Sequence, residues 1–293
     1  MSGPRGQRCW RNDWVLDLDI KAFFETIDHG LLMRAVRRHT TCIWVLLYIE
    51  RWLRAPTQLA DGSLIERTEG TPQGGVVSPI LENLYLHYAF DLWMVREFPS
   101  IPFERYADDA ICHCCSEVQA ERLKDAIARR FAACFLTLHR QKTKIAYCRD
   151  DRRKGAYPTV QFDFLGYTFR PREVRGKGGG LFFGFNPGIS AKSAVAIRQT
   201  MRSWRLHRRS DLTLEEIART VNPTLRGWIN YYGLQDGPRP GHGTHFDKIL
   251  SRWAMRKYKS LMRQRNAHRW VRGVAGRQPA LFAHWASFGA AAG

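Results

Sequence analysis

Several features are scarce in this 293-residue chain, and each scarcity removes a class of protein. Its seven cysteines include one CxxC spacing, Cys112–Cys115, with no second pair, and none lies beyond Cys148, which supports neither a disulfide framework nor a zinc ribbon. Cys112-His113-Cys114-Cys115 lacks a second ligand pair, and neighbours on an extended segment point to opposite faces, so these cysteines read as small buried apolar residues. The leading Met-Ser-Gly-Pro-Arg-Gly carries no apolar signal segment. The longest apolar run, 42–49, is far too short to span a bilayer, so no membrane partner and a reducing, cytoplasmic location are expected. Internal repeats and low-complexity segments are lacking. Acids are scarce only in the second half: residues 151–293 hold 8 Asp and Glu against 26 Lys and Arg, whereas residues 1–150 hold 19 against 20.

What remains is 44% hydrophobic, 25% charged and 12% aromatic, an ordinary globular composition with room for two domains. The net charge of +19 is not ordinary. Such an excess self-repels unless a polyanion screens it, and nucleic acid is the commonest such partner. Its confinement to the second half points to a polyanion-binding half joined to one that needs its acids.

Trp14-Val-Leu-Asp-Leu-Asp-Ile20 alternates as a strand, with Trp14, Leu16, Leu18 and Ile20 on one face and Val15, Asp17 and Asp19 on the other. The spacing predicts a long helix over 31–54, then a hairpin over 58–67 around Asp61-Gly62. Ser78-Pro79 has the signature of a helix cap followed by proline at the first helical position. Strands flanking Asp108-Asp109, a helix over 117–136 and strands near 143–148 and 162–169 follow. Beyond about 185 the pattern is helical, with a capping box at Thr213-Leu-Glu-Glu216 and with Pro187 and Pro223 as helix breaks.

Asp108-Asp109 lies inside an apolar hairpin, where adjacent carboxylates repel and need a compensating cation. Asp19 projects from the end of another apolar strand. Three such acids can hold a pair of hard cations about 3.5–4 Å apart, the clamp used in in-line phosphoryl displacement. Taken singly, each acid also suits an ordinary turn or cap.

Four motifs in order narrow the choice. Asp19-Ile-Lys-Ala-Phe-Phe-Glu-Thr-Ile-Asp-His29, Gly70-Thr-Pro-Gln-Gly-Gly-Val-Val-Ser-Pro79, Tyr106-Ala-Asp-Asp109 and Phe164-Leu-Gly-Tyr167 resemble successive palm motifs of reverse transcriptases. Asn222-Pro-Thr-Leu-Arg-Gly-Trp-Ile-Asn-Tyr-Tyr-Gly233 resembles the maturase signature of group II intron-encoded proteins. The resemblance implies an α+β fold: a palm, an antiparallel sheet with packed helices over 1–184, then a basic helical thumb and maturase domain over 185–265 and a tail over 266–293. It implies RNA-directed DNA polymerisation with two Mg²⁺ ions held by Asp19, Asp108 and Asp109. The partners it implies are an RNA template, a DNA primer, dNTP and group II intron RNA.

In the same frame Phe24 stands where an aromatic ring excludes a 2′-hydroxyl, while its neighbour Phe23 suits the core. Gln73 and Gly74 would contact the nucleotide, and Lys142 in Arg140-Gln-Lys-Thr-Lys144 is either a proton donor to pyrophosphate or a solvated charge. Asp17 lies outside the matched catalytic position and reads as structural.

Lys192, Arg198, Arg202 and Arg205 recur beside Trp204, and Arg256 and Lys257 beside Trp253 and Tyr258, basic faces with aromatic rings that suit RNA backbone and unpaired bases. Arg226 lies in the maturase-like signature, where Trp228 and Tyr231 also fit a helix core. Only 18 residues precede Asp19, fewer than the fingers region that the family carries there, so a chain truncated at the front is expected. No paired Cys or His-rich nuclease motif follows, so no DNA cleavage is expected. The rival reading is a non-catalytic remnant that binds intron RNA.

Overall fold

Alternating apolar residues build the first sheet. In the computed structural model, which describes residues 4–58, 61–72, 74–175, 179–233 and 245–285, a short helix α1 (Pro4–Arg11) leads into strand β1 (Trp14–Leu18). The strand is flanked on one side by β5 (Asp109–Cys114), itself paired with β4 (Phe103–Tyr106), and on the other by β6 (Lys144–Tyr147). All pairings are antiparallel, with Leu16 opposite Cys112, Leu18 opposite Ala110 and Asp17 opposite Lys144.

That register sorts side chains onto two faces. Trp14, Leu16, Leu18, Ala110, Cys112 and Cys114 bury against helices α2 (His29–Val36), α3 (Ile43–Arg54), α4 (Ser78–Leu86), α5 (Leu92–Glu97) and α6 (Glu117–Ala132). The other face is not polar throughout, contrary to the simple alternation. Val15, Ile111 and Ala146 are buried in a second core with Cys9 and Phe162, Phe164, Phe169 and Phe185. These phenylalanines come from a three-stranded sheet of β7 (Phe162–Phe164), β8 (Tyr167–Arg175) and β9 (Leu181–Ile189). A fully buried large apolar side chain contributes about 1.5–3 kcal/mol, so both cores matter to the sheet.

Several expected elements are divided differently. The helix expected over 31–54 is two helices, because Thr40 and Thr41 interrupt it and Cys42 is extended. The strand expected over 162–169 splits at Leu165 and Gly166, both at positive φ, into β7 and β8. The hairpin around Gly62 forms with strands of two residues each, β2 (Thr57–Gln58) and β3 (Leu64–Ile65). Ser78 does not cap α4; its hydroxyl donates to the Pro72 carbonyl instead.

The chain forms two compact units, Met1–Pro187 and Gly188–Gly293. The second comprises α7 (Ala191–Ser203), α8 (Leu214–Tyr232), α9 (His245–Lys257) and α10 (Gln264–Arg277). The Thr213–Glu216 capping box closes the start of α8, which runs through Pro223 rather than ending there. Residues beyond 265, expected as a tail, belong to this unit's core: Val271, Val274, Phe282 and Trp285 are buried with Phe246 and Trp253. Polar side chains strap them down. Asn222 donates to the Leu281 carbonyl and accepts from the Ala283 amide, and Asp247 accepts from the Trp285 indole. Among the described residues no helix is long and apolar enough to cross a membrane.

Candidate active site

The sheet gathers acids at one end. Asp17 faces Ile111 across β1 and β5, and two-residue periodicity puts Asp19 and Asp109 on that same face. The carboxylates sense one another. Burial first, then the charge of Asp109 and of Asp19, push the Asp17 carboxyl up to about 7, against the pull of Lys144. Burial also raises Glu82, with Asp108 adding repulsion and a hydrogen bond from Thr71 opposing it.

Asp108 sits in the turn between β4 and β5. Ala107 before it has φ 54, a left-handed conformation that costs a residue with a side chain about 1–2 kcal/mol. Arg105 holds that turn. Its guanidinium clasps Asp91 through two hydrogen bonds of 2.7 and 2.6 Å and reaches the Ala107 carbonyl at 2.8 Å and Asn83 at 2.9 Å. Sequence reasoning missed this residue. The available signal was an arginine placed in a strand otherwise destined for the sheet.

The segment 139–144 closes the other side of Asp19. The His139 amide donates to the Asp19 carbonyl, and the Asp19 amide donates to the Thr143 hydroxyl. Lys142 brings its ammonium to 3.6 Å from Asp19 Oδ2, and about two thirds of its side chain is exposed. Thr143, also missed, fixes this segment against the strand end.

The glycine-containing loop docks beside Phe24. The Gly70 and Thr71 amides donate to the Ile27 and Phe24 carbonyls, and the His29 ring nitrogen lies 2.7 Å from the Gly70 carbonyl. Gly70 requires its lack of side chain: φ is +77, and a Cβ would stand 2.8 Å from the carbonyl oxygens of Phe24 and Glu25. Thr71 is buried and donates to Glu82 at 2.6 Å, joining this loop to α4. Phe23 is buried, whereas Phe24 is half-buried beside the core. Gly74 is exposed at φ +83, and a Cβ there would meet no protein atom within 4 Å, so the left-handed backbone is what favours glycine at this position. Gln73 lies outside the described residues.

Oxygen-only donors of this kind suit a divalent cation such as Mg²⁺. Yet among the described residues no group of three or more His, Cys, Asp or Glu side chains is drawn close enough to hold an ion. The donor chemistry therefore fits, while the three acids are not closed into one cage.

The basic residues of the second unit divide into two kinds. Lys192, Arg198 and Arg202 lie on α7, none of whose residues is buried, and Arg205, Arg226 and Arg256 are likewise exposed. Lys257 is engaged internally. Its ammonium donates to the Ser210 and Leu212 carbonyls and stands 5.5 Å over the Trp253 ring. Trp228 stacks on Trp204 at 5.9 Å beside the core, while Tyr231 is 54% exposed.

Two family models match this chain in sequence. The reverse transcriptase (RNA-dependent DNA polymerase) family matches residues 5–169, and the group II intron maturase-specific domain matches residues 195–271. The chain is 29% identical over 172 residues to protein YkfC of Escherichia coli, covering 48% of this chain and 45% of that protein. It is 35% identical over 74 residues to the group II intron-encoded protein LtrA of Lactococcus lactis, covering 25% of this chain and 12% of LtrA. It thus spans less than half the length of these relatives. A solved telomerase from Candida albicans, in complex with a TWJ fragment of telomeric RNA, covers 98% of this chain and 52% of its own at 12% identity and a TM-score of 0.47, too slight a likeness to carry weight.

Proposed function

This chain belongs to the reverse transcriptase (RNA-dependent DNA polymerase) family and carries a group II intron maturase-specific domain, and from that premise we propose that it extends a DNA primer on an RNA template and binds group II intron RNA. The observation that carries the reading is the β1–β5 pairing, which brings Asp19, Asp109 and the Asp108 turn to one end of a sheet.

In this reading Asp19, Asp108 and Asp109 hold two Mg²⁺ ions. Ions held there would supply Lewis-acid activation of the primer 3′-hydroxyl and charge neutralisation for departing pyrophosphate. The chain's own groups supply the rest. Arg105 and the Ala107 turn hold Asp108 in place, and Thr143 and His139 hold the backbone of Asp19. Lys142, paired with Asp19 in the free chain, is a proton donor to the leaving group. Phe24, tied by its carbonyl to Thr71, forms a floor that rejects a 2′-hydroxyl, and Gln73 and Gly74 line the nucleotide. Lys192, Arg198, Arg202, Arg205, Arg226 and Arg256 contact RNA phosphates, so affinity falls as salt rises. Lys257 acts on that surface indirectly, by fixing the end of α9.

Primer extension on an RNA template with Mg²⁺ tests the reading. Wild-type chain should incorporate dNTP and Asp108→Ala should not, with RNA affinity retained. Equal signal from both chains would remove these acids from catalysis. A second reading, an RNA-binding protein without polymerase activity, rests on the exposed basic residues of the second unit alone; it predicts no extension from either chain and unchanged RNA affinity.

A further inference from the structure

The helical layer covering the sheet face opposite the acids contains a groove of about 470 Å³ that the proposed chemistry does not use. Arg34 from α2, Arg38 just beyond it, Arg96 from α5 and Arg130 from α6 line it, with the rings of Tyr88 and Trp93. No carboxylate lines it among the described residues. Arg96 pairs with Glu97 on the exposed rim, while Arg38 stands 5.7 Å over the Tyr88 ring. Residues 1–150 are almost charge-balanced, so this concentration of guanidiniums is local and not a spill-over from the basic second half.

One wall is irregular in a way that shapes the groove. His87–Asp91 forms a π-helical turn between α4 and α5, the kind of widened turn often found at functional sites. The Tyr88 and Ala89 carbonyls accept hydrogen bonds of 2.9 and 3.0 Å from Arg130. Arg130 therefore serves the fold, whereas Arg34, Arg38 and Arg96 are exposed, Arg38 over the Tyr88 ring and Arg96 in a solvent-exposed pair with Glu97 that a phosphate can displace.

We propose that this groove is a second RNA-binding site, which takes the phosphodiester backbone of an unpaired strand on Arg34, Arg38 and Arg96 and stacks a base on Tyr88 or Trp93. Forked, permanently charged guanidiniums match phosphate oxygens, and aromatic faces with arginine planes are what unpaired RNA bases use. The volume lies in the range of small-ligand pockets, suited to a nucleotide turned out of a strand rather than to a duplex. The proposal rests on the reading that this chain handles RNA, but not on its catalysis.

The test uses the full chain and a short unprimed RNA containing 4-thiouridine. Photocross-linking followed by peptide mapping should place adducts at Tyr88 or Trp93, in addition to any within residues 188–285. In R34Q/R38Q/R96Q those adducts should fall to background while the others persist. The slope of log Kd against log salt should shrink by about 2, as each single-strand phosphate contact contributes about 0.7. R34K/R38K/R96K, which keeps the charge, should restore the slope. Wild-type chain without adducts at these rings, or adducts unchanged in the glutamine variant, overturns the proposal. So does displacement of the RNA by polyglutamate as readily as by oligouridylate, since the groove would then suit an acidic protein. Primer extension scored in parallel separates the two claims: extension lost with adducts kept damages only the polymerase reading.

Discussion

Replacing Arg105 by Met probes how the catalytic turn is held. Arg105 and Asp91 are 11% and 21% exposed, and the arginine also binds the carbonyl of Ala107 and the amide oxygen of Asn83. Losing one partner of a well-buried pair costs about 3–5 kcal/mol, and the partial exposure of Asp91 places this change near the lower end, about 3 kcal/mol. The damage should be local. Hydrogen exchange of the peptide spanning β4 and β5 should accelerate by about two orders of magnitude, since about 1.4 kcal/mol corresponds to tenfold, with α8 and α9 unaffected. Primer extension should drop with it, because Ala107 holds a left-handed conformation whose carbonyl Arg105 ties down. Replacing Asp91 by Ala in the same chain should then add little, because the orphaned carboxylate is gone. Unchanged exchange in β4 and β5, or additive losses in the double variant, would refute the clamp.

Two further outcomes follow from the same geometry. Asp17, raised to about 7, keeps a proton in the folded chain that the unfolded chain has released above its ordinary value of 3.8, so in metal-free buffer stability should fall as pH rises from about 4 to 7, by at most about 4 kcal/mol. Asp17→Asn should flatten that slope and leave the chain more stable above pH 7 in urea titrations; an unaltered slope would show Asp17 ionised. Gly70→Ala forces a Cβ within 2.8 Å of two carbonyl oxygens at φ +77, which should cost about 1–3 kcal/mol and raise the KM for dNTP by displacing the loop from Phe24; an unchanged KM would separate the loop from the nucleotide.

The parts of this fold legible in the sequence are those written in short-range pattern. Alternation from Trp14 to Leu18 marks a strand, and an Asp pair between two apolar stretches marks a hairpin turn. The family, too, was legible, because its motifs are short, ordered and carried by residue types with a chemical reason to be there. What escaped depends on contacts between distant positions. Arg105 matters because Asp91 lies beside it, and Thr143 because Asp19 does, and neither proximity leaves a trace in local spacing. Lys257 reads as one more charge on a basic face, yet its ammonium is occupied by two carbonyls 45 and 47 positions away. The break at Thr40 and Thr41 is hidden because apolar spacing continues across it, and β-branched residues only weakly disfavour a helix. Residues 266–293 read as a tail beyond the maturase-like segment, but Val271, Val274, Phe282 and Trp285 are core.

The central claim is that positions 19, 108 and 109 converge on divalent cations once substrates are present. Electron paramagnetic resonance of Mn²⁺ titrated into the chain with template–primer and dNTP measures this directly. The account predicts two tightly held ions in the wild-type chain and a loss of ions in Asp19→Asn and in Asp108→Asn; identical Mn²⁺ binding in all three would contradict it.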